Sequence, residues 1–483
     1  MLGRVFKAYD IRGTYPDLLT DRMAWQVGVG TGRFMLEIAA AAGETTPMMR
    51  TVVVGRDMRE SGPTLTDQLI DGLTRAGVSV IDLGLVDTPM IYFAINHLGC
   101  AGGVMVTASH NPPNWNGFKI AGPKARPIGE ASGLADIRKH AAMADPRTIE
   151  DPTGRVEERD LWAPYAKHVR HFLRAGGPAL PISKGGRKIK AVVDASNAMA
   201  GTMIPKVFGD TGEAVDAYLP GLELVCINMD NASGEFAHPP NPLVKSNMRM
   251  TQEAVVEHKA DVGFCFDGDA DRCMVVDDEG QIVGCDHLTA LLAADALERE
   301  PGSAIVFDLR SSKAVPEDVV AHGGTPVRGR VGHVFMKAAM AEHGAAFGGE
   351  LSGHFYFKDN YNADSGAIAM STVLGLLGRN KKSLSQLVKP IARYVQSGEM
   401  NFTNEEPEAV IAKLEEELAG DDALVDNLDG ITIDCFDSEG WWINVRMSNT
   451  EPLLRLNAEA RDRQTLNRLV DRVGPMLGKR VEH

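Results

Sequence analysis

Three aspartates at alternate positions, Asp267, Asp269 and Asp271, form the most specific chemical signal in the sequence. They follow a short apolar segment at 262–266 and precede Arg272. On a looped or extended backbone their carboxylates can all face one point, where they repel each other unless a cation lies among them. Oxygen ligands favour Mg²⁺ or Ca²⁺ over Zn²⁺. An EF-hand is excluded because glycine and glutamate are missing at the sixth and twelfth positions counted from Asp267. The remaining alternative is a solvated acidic loop.

A single serine, Ser109, follows a buried-looking strand at 103–106 and precedes two prolines. Loops at the carboxyl ends of strands are where α/β folds bind ligands. The prolines prevent the loop from continuing as a helix. We hypothesise that Ser109 Oγ carries a phosphoryl group, with His110 and Lys119 nearby. A phosphate there would complete the shell of a Mg²⁺ ion that has few protein ligands. The alternative is an ordinary turn between two strands.

Two further loops carry polar residues at useful spacing. Glu350 and Ser352 lie two positions apart, so on an extended loop they face the same way and could bind vicinal sugar hydroxyls. Upstream, His333 is a titratable residue on a turn that contains glycine. The alternatives are a plain turn and a surface or core histidine.

The segment RMSNTEPLLR, residues 446–455, predicts a phosphate-binding loop between two strands of the last domain. Hydroxyl and amide side chains, successive backbone N–H groups and flanking arginines suit a phosphate. A plain turn is the alternative. The residues concerned are Arg446, Ser448, Asn449, Thr450 and Arg455.

The charge of the whole chain excludes some partners. It has 65 acidic and 50 basic residues, a formal net charge of −15, which argues against nucleic acid or an anionic membrane. Positive charge for an anionic substrate must therefore be local, and the motifs supply it at Arg12, Lys119, Arg272, Arg446 and Arg455, with His110, His333 and His354 available.

Other features of the composition suggest a cytoplasmic protein. Six cysteines without a CxxC pair suit a reducing compartment. We expect no secretory signal. The sequence contains no run of ~18 apolar residues, so we also expect no membrane span.

The elements that must position these loops repeat along the chain. An apolar strand that ends in a charged turn recurs at 51–57, 189–194 and 304–310, and a helical stretch follows each time. This repeat predicts three similar α/β domains. The last ninety residues or so differ: a hairpin is expected from 431–436 and 441–446, followed by a third strand and a closing helix. These predict a small α+β domain.

Four motifs together resemble the α-D-phosphohexomutase family, most of all its bacterial phosphomannomutase/phosphoglucomutase branch. They are TASHNP around Ser109, DGDADR from Asp267, GELSGH around Glu350 and RMSNTEP from Arg446, in the order of that family. The resemblance covers nearly the whole chain. It implies an α/β fold of three mixed-sheet α/β domains and a C-terminal α+β domain around a central cleft. The expected boundaries are 1–160 for the phosphoserine domain, 161–285 for metal binding, 286–393 for sugar binding and 394–483 for phosphate binding.

The resemblance also implies roles for the candidate residues. Ser109 would be a phosphoserine, and its phosphate would hold Mg²⁺ together with Asp267, Asp269 and Asp271. Arg12, Lys119 and His333 would supply positive charge and acid/base function, beside His110 and Arg272. Substrate contacts would come from Glu350, Ser352 and His354 on the sugar and from Arg446, Ser448, Asn449, Thr450 and Arg455 on the phosphate.

The implied reaction interconverts hexose 1-phosphate and hexose 6-phosphate through a hexose 1,6-bisphosphate, which also activates the enzyme. Leu351 stands where mannose/glucose enzymes resembling this chain have methionine, a mild change that favours mannose or glucose over glucosamine phosphates. Alternatives are a phosphoglucosamine mutase, a Mg²⁺-dependent sugar phosphatase and a non-catalytic sugar-phosphate binder. The expected partners are small hexose phosphates, with the chain a monomer or homodimer.

Overall fold

The computed structural model describes residues 2–147, 151–173, 183–184, 187–209, 219, 221–420, 422–447 and 453–481. It divides into two compact units. Unit 1 comprises Met1–Val283 and Ser352–Ser385, and unit 2 comprises Gly284–Leu351 and Gln386–His483. No helix in the described ranges is both long and apolar enough to cross a membrane.

Unit 1 begins with a mixed sheet that carries the serine loop. Its elements are β1 (Ile11–Thr14), α1 (Asp21–Ala41), β2 (Thr51–Arg56), α2 (Gly62–Arg75), β3 (Ser79–Leu85), α3 (Thr88–Leu98), β4 (Gly102–Val106), β5 (Trp115–Ala121), α4 (Leu134–Met143) and β6 (Val156–Glu158). The strand order is β1-β5-β4-β2-β3-β6, with β2 parallel to β3 and β4, and β5 antiparallel to β4. The strand β4 is buried throughout, as expected where helices cover both faces of a sheet.

A second mixed sheet in unit 1 carries the aspartate loop. Its elements are α5 (Trp162–His171), β7 (Ser183–Lys184), β8 (Arg187–Asp194), α6 (Ala200–Val207), β9 (Leu222–Ile227), α7 (Arg249–His258), β10 (Val262–Phe266), β11 (Cys273–Val276) and β12 (Ile282–Val283). The strand β8 lies parallel to both β9 and β10, and β11 runs back antiparallel to β10. The aspartates therefore occupy the turn between β10 and β11.

Unit 2 contains a parallel βα layer. Its elements are α8 (Cys285–Arg299), β13 (Ala304–Asp308), α9 (Ala314–Ala321), β14 (Thr325–Gly329), α10 (His333–Glu342) and β15 (Phe347–Gly349). The strand β13 lies between β14 and β15 and is parallel to both. The chain then returns to unit 1 for the antiparallel pair β16 (Phe355–Phe357) and β17 (Ala363–Asp364) and for α11 (Gly366–Arg379), and α12 (Leu384–Val388) follows.

The C-terminal part of unit 2 is an antiparallel sheet with two helices. It contains β18 (Val395–Thr403), α13 (Pro407–Leu418), β19 (Leu424–Asp426), β20 (Ile431–Cys435), β21 (Trp441–Met447), β22 (Leu453–Ala460), α14 (Arg463–Leu477) and β23 (Lys479–Val481). The strand order is β19-β20-β21-β22-β18-β23. The predicted hairpin is confirmed as β20 and β21, and the predicted third strand and closing helix as β22 and α14. The α/β fold class with a C-terminal α+β part is confirmed.

Candidate active site

The serine loop places Ser109 against the aspartate loop within unit 1. Ser109 has a left-handed backbone (φ 52°) and is almost fully buried. Its Oγ lies 3.1 Å from Asp267 Oδ2, 3.2 Å from His110 Nδ1 and 3.3 Å from Arg272 Nη2. A hydroxyl that faces a carboxylate, an imidazole and a guanidinium is therefore brought to one point from two loops 158 residues apart in sequence.

A buried arginine that sequence reasoning missed, Arg59, shapes this loop. Its guanidinium donates to Asp57 Oδ2 and to four backbone carbonyls of the serine loop, at 2.5–3.0 Å. The carbonyls belong to Ser109, Asn111, Pro112 and Trp115. Asp57 in turn accepts a hydrogen bond from Thr107 Oγ1, which accepts from the Ser109 backbone N–H. One ion pair thus fixes the carbonyls around Ser109.

The aspartate loop has the donor set of a divalent-cation site. Asp267, Asp269 and Asp271 are buried, and one carboxylate oxygen from each lies within 4.8 Å of the others. Oδ1 of Asp269 is buried without a hydrogen-bond donor among the described residues. Buried carboxylate oxygens that lack a donor are costly unless a cation satisfies them. The three residues therefore fit a Mg²⁺ ion on the chemistry of their own oxygens.

Backbone geometry explains the small residues inside the aspartate loop. A Cβ at Gly268 would lie 2.1 Å from the Ser109 carbonyl oxygen, so this position needs glycine for the two loops to meet. Ala270 has φ 58°, a left-handed conformation that glycine adopts most easily.

Lys119 reaches the aspartates from β5. Its Nζ lies 2.6 Å from Asp269 Oδ2 and 2.6 Å from Asp271 Oδ2. Burial alone would lower the pKa of Lys119, but the two carboxylates outweigh burial and raise that pKa above its ordinary value. Lys119 is thus held as an ammonium ion, a positive charge rather than a proton acceptor.

The pKa values of Asp267 and Asp271 are shifted in opposite directions. Burial, together with the other two aspartates, raises the pKa of Asp267 to about 7 although Arg272 opposes the rise. Burial also acts to raise the pKa of Asp271, but Lys119 and His354 hold it well below its ordinary value. Asp267 and Asp271 therefore do not ionise equally, although they lie in the same turn.

His110 and Arg12 both lie at the serine loop, but only Arg12 brings a positive charge. Burial, and then the charges of Arg272, Arg12 and Lys119, hold the pKa of His110 well below its ordinary value. His110 is therefore a neutral imidazole, and its Nδ1 contacts Arg272 Nη2. Arg12 Nη1 donates to Asn111 Oδ1 at 2.8 Å. Both predicted residues lie at the serine loop.

His354 lies at the aspartate loop, a contact that the sequence did not suggest. Its Nε2 is 3.5 Å from Asp271 Oδ1, and its Nδ1 is 2.9 Å from Ser352 Oγ. Both histidine and serine belong to unit 1.

The other predicted substrate residues belong to unit 2. Glu350 Oε1 accepts from the Gly332 backbone N–H at 2.8 Å, directly before His333, the first residue of α10. Arg446 and Arg455 both contact Glu399, at 2.9 and 3.2 Å. The predicted Ser448, Asn449 and Thr450 lie outside the described residues.

Comparison with known proteins identifies the family to which these loops belong. Four descriptions of phosphoglucomutase/phosphomannomutase match: alpha/beta/alpha domain I at 3–147, domain II at 163–280, domain III at 285–394 and the C-terminal domain at 399–474. The phosphomannomutase of Escherichia coli (strain K12) is 36% identical over 463 residues, 94% of each chain. The phosphohexose mutases of Xanthomonas campestris pv. campestris (strain B100) are 37% identical over 460 residues, 94% of this chain and 95% of theirs.

A solved structure agrees with the sequence comparisons. The crystal structure of a phosphoglucomutase/phosphomannomutase family protein from Burkholderia thailandensis superposes with a TM-score of 0.83 at 31% identity, covering 98% of this chain and 96% of its own. The resemblance drawn from the four motifs is confirmed.

Proposed function

Because this chain belongs to the phosphoglucomutase/phosphomannomutase family, we propose that it interconverts hexose 1-phosphate and hexose 6-phosphate through a phosphoserine at Ser109. The observation that carries the proposal is the position of Ser109 Oγ, 3.1 Å from Asp267 and 3.3 Å from Arg272. A nucleophilic oxygen, a cation site and a guanidinium are the groups that phosphoryl transfer requires.

In the first proposed half-reaction, the bond between phosphorus and Ser109 Oγ breaks and a bond forms to the free sugar hydroxyl. The hydroxyl proton passes to a base, and the product is a hexose 1,6-bisphosphate. Arg272 and Lys119 neutralise the charge of the transferring group. When bound by the three aspartates, Mg²⁺ adds positive charge against that group.

The second half-reaction runs in reverse with the other phosphate, so the bisphosphate must turn before it returns a phosphoryl group to Ser109. Since Asp269 and Asp271 raise the pKa of Lys119 and hold it as an ammonium ion, it suits charge stabilisation and not proton transfer. His333 is then our candidate for the proton acceptor.

We propose mannose and glucose phosphates as substrates, with Glu350, Ser352 and His354 binding the sugar and Arg446 and Arg455 its second phosphate. Mannose is supported by relatives named phosphomannomutase. Leu351 supports mannose or glucose, because leucine is a conservative replacement for the methionine expected at this position of the sugar loop.

The test follows ³¹P NMR signals of mannose 1-phosphate, glucose 1-phosphate and glucosamine 1-phosphate with Mg²⁺ and a trace of hexose 1,6-bisphosphate. Growth of a 6-phosphate signal is expected with mannose or glucose, and release of inorganic phosphate instead would mean a phosphatase. Ser109→Ala is expected to lower turnover by more than about 10³-fold, as loss of a nucleophile does. Ser233→Ala, at an exposed position, is the matched control. Activity of Ser109→Ala near that of the control would refute the phosphoserine.

A further inference from the structure

One carboxylate in unit 2, Glu399, holds the two arginines that we assign to the substrate's phosphate. Arg446 on β21 and Arg455 on β22 are direct cross-strand partners. Like charges in directly opposed positions destabilise a sheet. Glu399, on the neighbouring strand β18, accepts from Arg446 Nη2 at 2.9 Å and from Arg455 Nη1 at 3.2 Å. Its two oxygens therefore separate the two guanidinium groups.

A third arginine adds to the positive charge of this cluster. Arg310 Nη1 lies 3.5 Å from Glu399 Oε2, while its other nitrogens pair with Asp308 at 2.7 and 3.3 Å. Asp308 thus pairs with Arg310, and Glu399 pairs with both Arg446 and Arg455. The carboxylate of Glu399 therefore lies among three arginines.

The buried arginine of the cluster also has a donor to spare. Arg446 is almost fully buried, and its Nε has no hydrogen-bond acceptor among the described residues. A buried N–H without an acceptor is costly, so this group favours an additional anion. The three arginines lower the pKa of Glu399, although burial acts to raise it, so the carboxylate is ionised.

We infer that Glu399 is an internal counter-ion that competes with the substrate's phosphate for Arg446 and Arg455. The inference rests on the proposed function, since it takes these arginines as the phosphate site. The Glu399 carboxylate takes one donor of each arginine, Arg446 Nη2 and Arg455 Nη1, that a phosphate oxygen could take in its place. Phosphate binding must therefore displace or share Glu399, and the return of Glu399 assists release.

Release matters to the proposed reaction because the phosphate of the bisphosphate has to dissociate from Arg446 and Arg455 before the intermediate can turn. A phosphate held by three arginines without a competing carboxylate would bind tightly and leave slowly. Glu399 therefore lowers the affinity for the phosphate and raises the rate of its release. We assign it as a positioning residue, distinct from the groups that contact the reacting atoms.

The test measures binding of hexose 6-phosphate by calorimetry in the Ser109→Ala background, which prevents turnover. Adding Glu399→Gln is expected to tighten binding about tenfold, because a like charge is removed from beside the phosphate. With Ser109 intact, Glu399→Gln is expected to lower both KM and kcat. Glu416→Gln makes the same change at an exposed position of α13 and is expected to alter neither.

Weaker or unchanged binding in Glu399→Gln would overturn the inference, since weaker binding means that the carboxylate only orders the arginines. If the Ser109→Ala parent bound no hexose phosphate, the proposed function would fail and this inference with it. Should Glu399→Gln not fold, Glu399→Asp replaces it. Its shorter side chain withdraws the carboxylate from the arginines, so tighter binding is again expected and weaker binding again overturns the inference.

Discussion

Replacing the buried Arg59 by lysine keeps its positive charge but removes some of its hydrogen-bond donors. The guanidinium makes five side-chain hydrogen bonds, one to Asp57 and four to carbonyls of the serine loop. Both side chains of the ion pair are fully buried. Lysine keeps a positive charge for Asp57 but has only three donors on one nitrogen, so at least two carbonyls lose their partner.

The expected cost follows from those lost bonds. A buried acceptor left unsatisfied costs about 1–3 kcal/mol, so Arg59→Lys is expected to lower the free energy of unfolding of unit 1 by about 2–6 kcal/mol. Arg59→Met removes the charge as well, leaves Asp57 without its ion-pair partner, and is expected to cost at least about 3–5 kcal/mol. The measurement is urea-induced unfolding monitored by far-ultraviolet circular dichroism.

The consequence for function is a less ordered Ser109. The rate at which hexose 1,6-bisphosphate phosphorylates Ser109 is expected to fall more than about tenfold in Arg59→Lys under conditions where the variant stays folded, because small misplacements of reacting groups are costly. Arg75→Lys is the matched control, since Arg75 forms a partly exposed pair with Asp71 on α2 that contributes less than about 1 kcal/mol. Unfolding and phosphorylation of Arg59→Lys equal to those of the control would refute the reasoning.

Three further changes test the neighbouring contacts. Gly268→Ala is expected to destabilise the chain by about 1–3 kcal/mol and to slow phosphorylation of Ser109, because the new Cβ meets a backbone carbonyl; unchanged thermal unfolding would contradict this. Asp269→Asn is expected to weaken Mg²⁺ binding in calorimetric titration by more than about tenfold, since a buried anionic ligand is lost; equal affinity would place the ion elsewhere. Burial lowers the pKa of His238, but Asp194 outweighs burial and raises that pKa above its ordinary value. His238→Gln should therefore destabilise the chain most below about pH 6.5, with the loss shrinking as pH rises through the folded pKa; a penalty that grows with pH would exclude the ion pair.

The loops at the ends of strands could be predicted because each carries its own local signal. Ser109 follows a continuous apolar strand, and Asp267 follows another. In each case one short segment of sequence predicts the strand, the loop after it and the reactive side chain on that loop. The carboxylates at 267, 269 and 271 were predicted to face one point from spacing alone, and one oxygen from each lies within 4.8 Å of the others.

The supporting residues could not be predicted, since their partners are distant in sequence. Arg59 donates to backbone carbonyls 50 to 56 residues away. Every residue has such a carbonyl, so the sequence does not indicate which ones accept a hydrogen bond from Arg59. His354 contacts Asp271 only because β11 and the turn before β16 meet, where the Cys273 N–H donates to the Gly353 carbonyl. Glu399 sits in a strand of ordinary polar alternation, and its role depends on the register of β18 against β22.

The charges of the aspartate loop indicate why a phosphoserine and a divalent cation would enter this site together. Three carboxylates, of which Asp267 has a raised pKa, face the permanent cations Lys119 and Arg272 in a buried site. A phosphate dianion on Ser109 without a metal would add two negative charges there, and a divalent cation alone would add two positive charges. Both together restore the original balance. Each therefore lowers the electrostatic cost of the other, so phosphorylation of Ser109 and Mg²⁺ binding should be coupled equilibria rather than independent events.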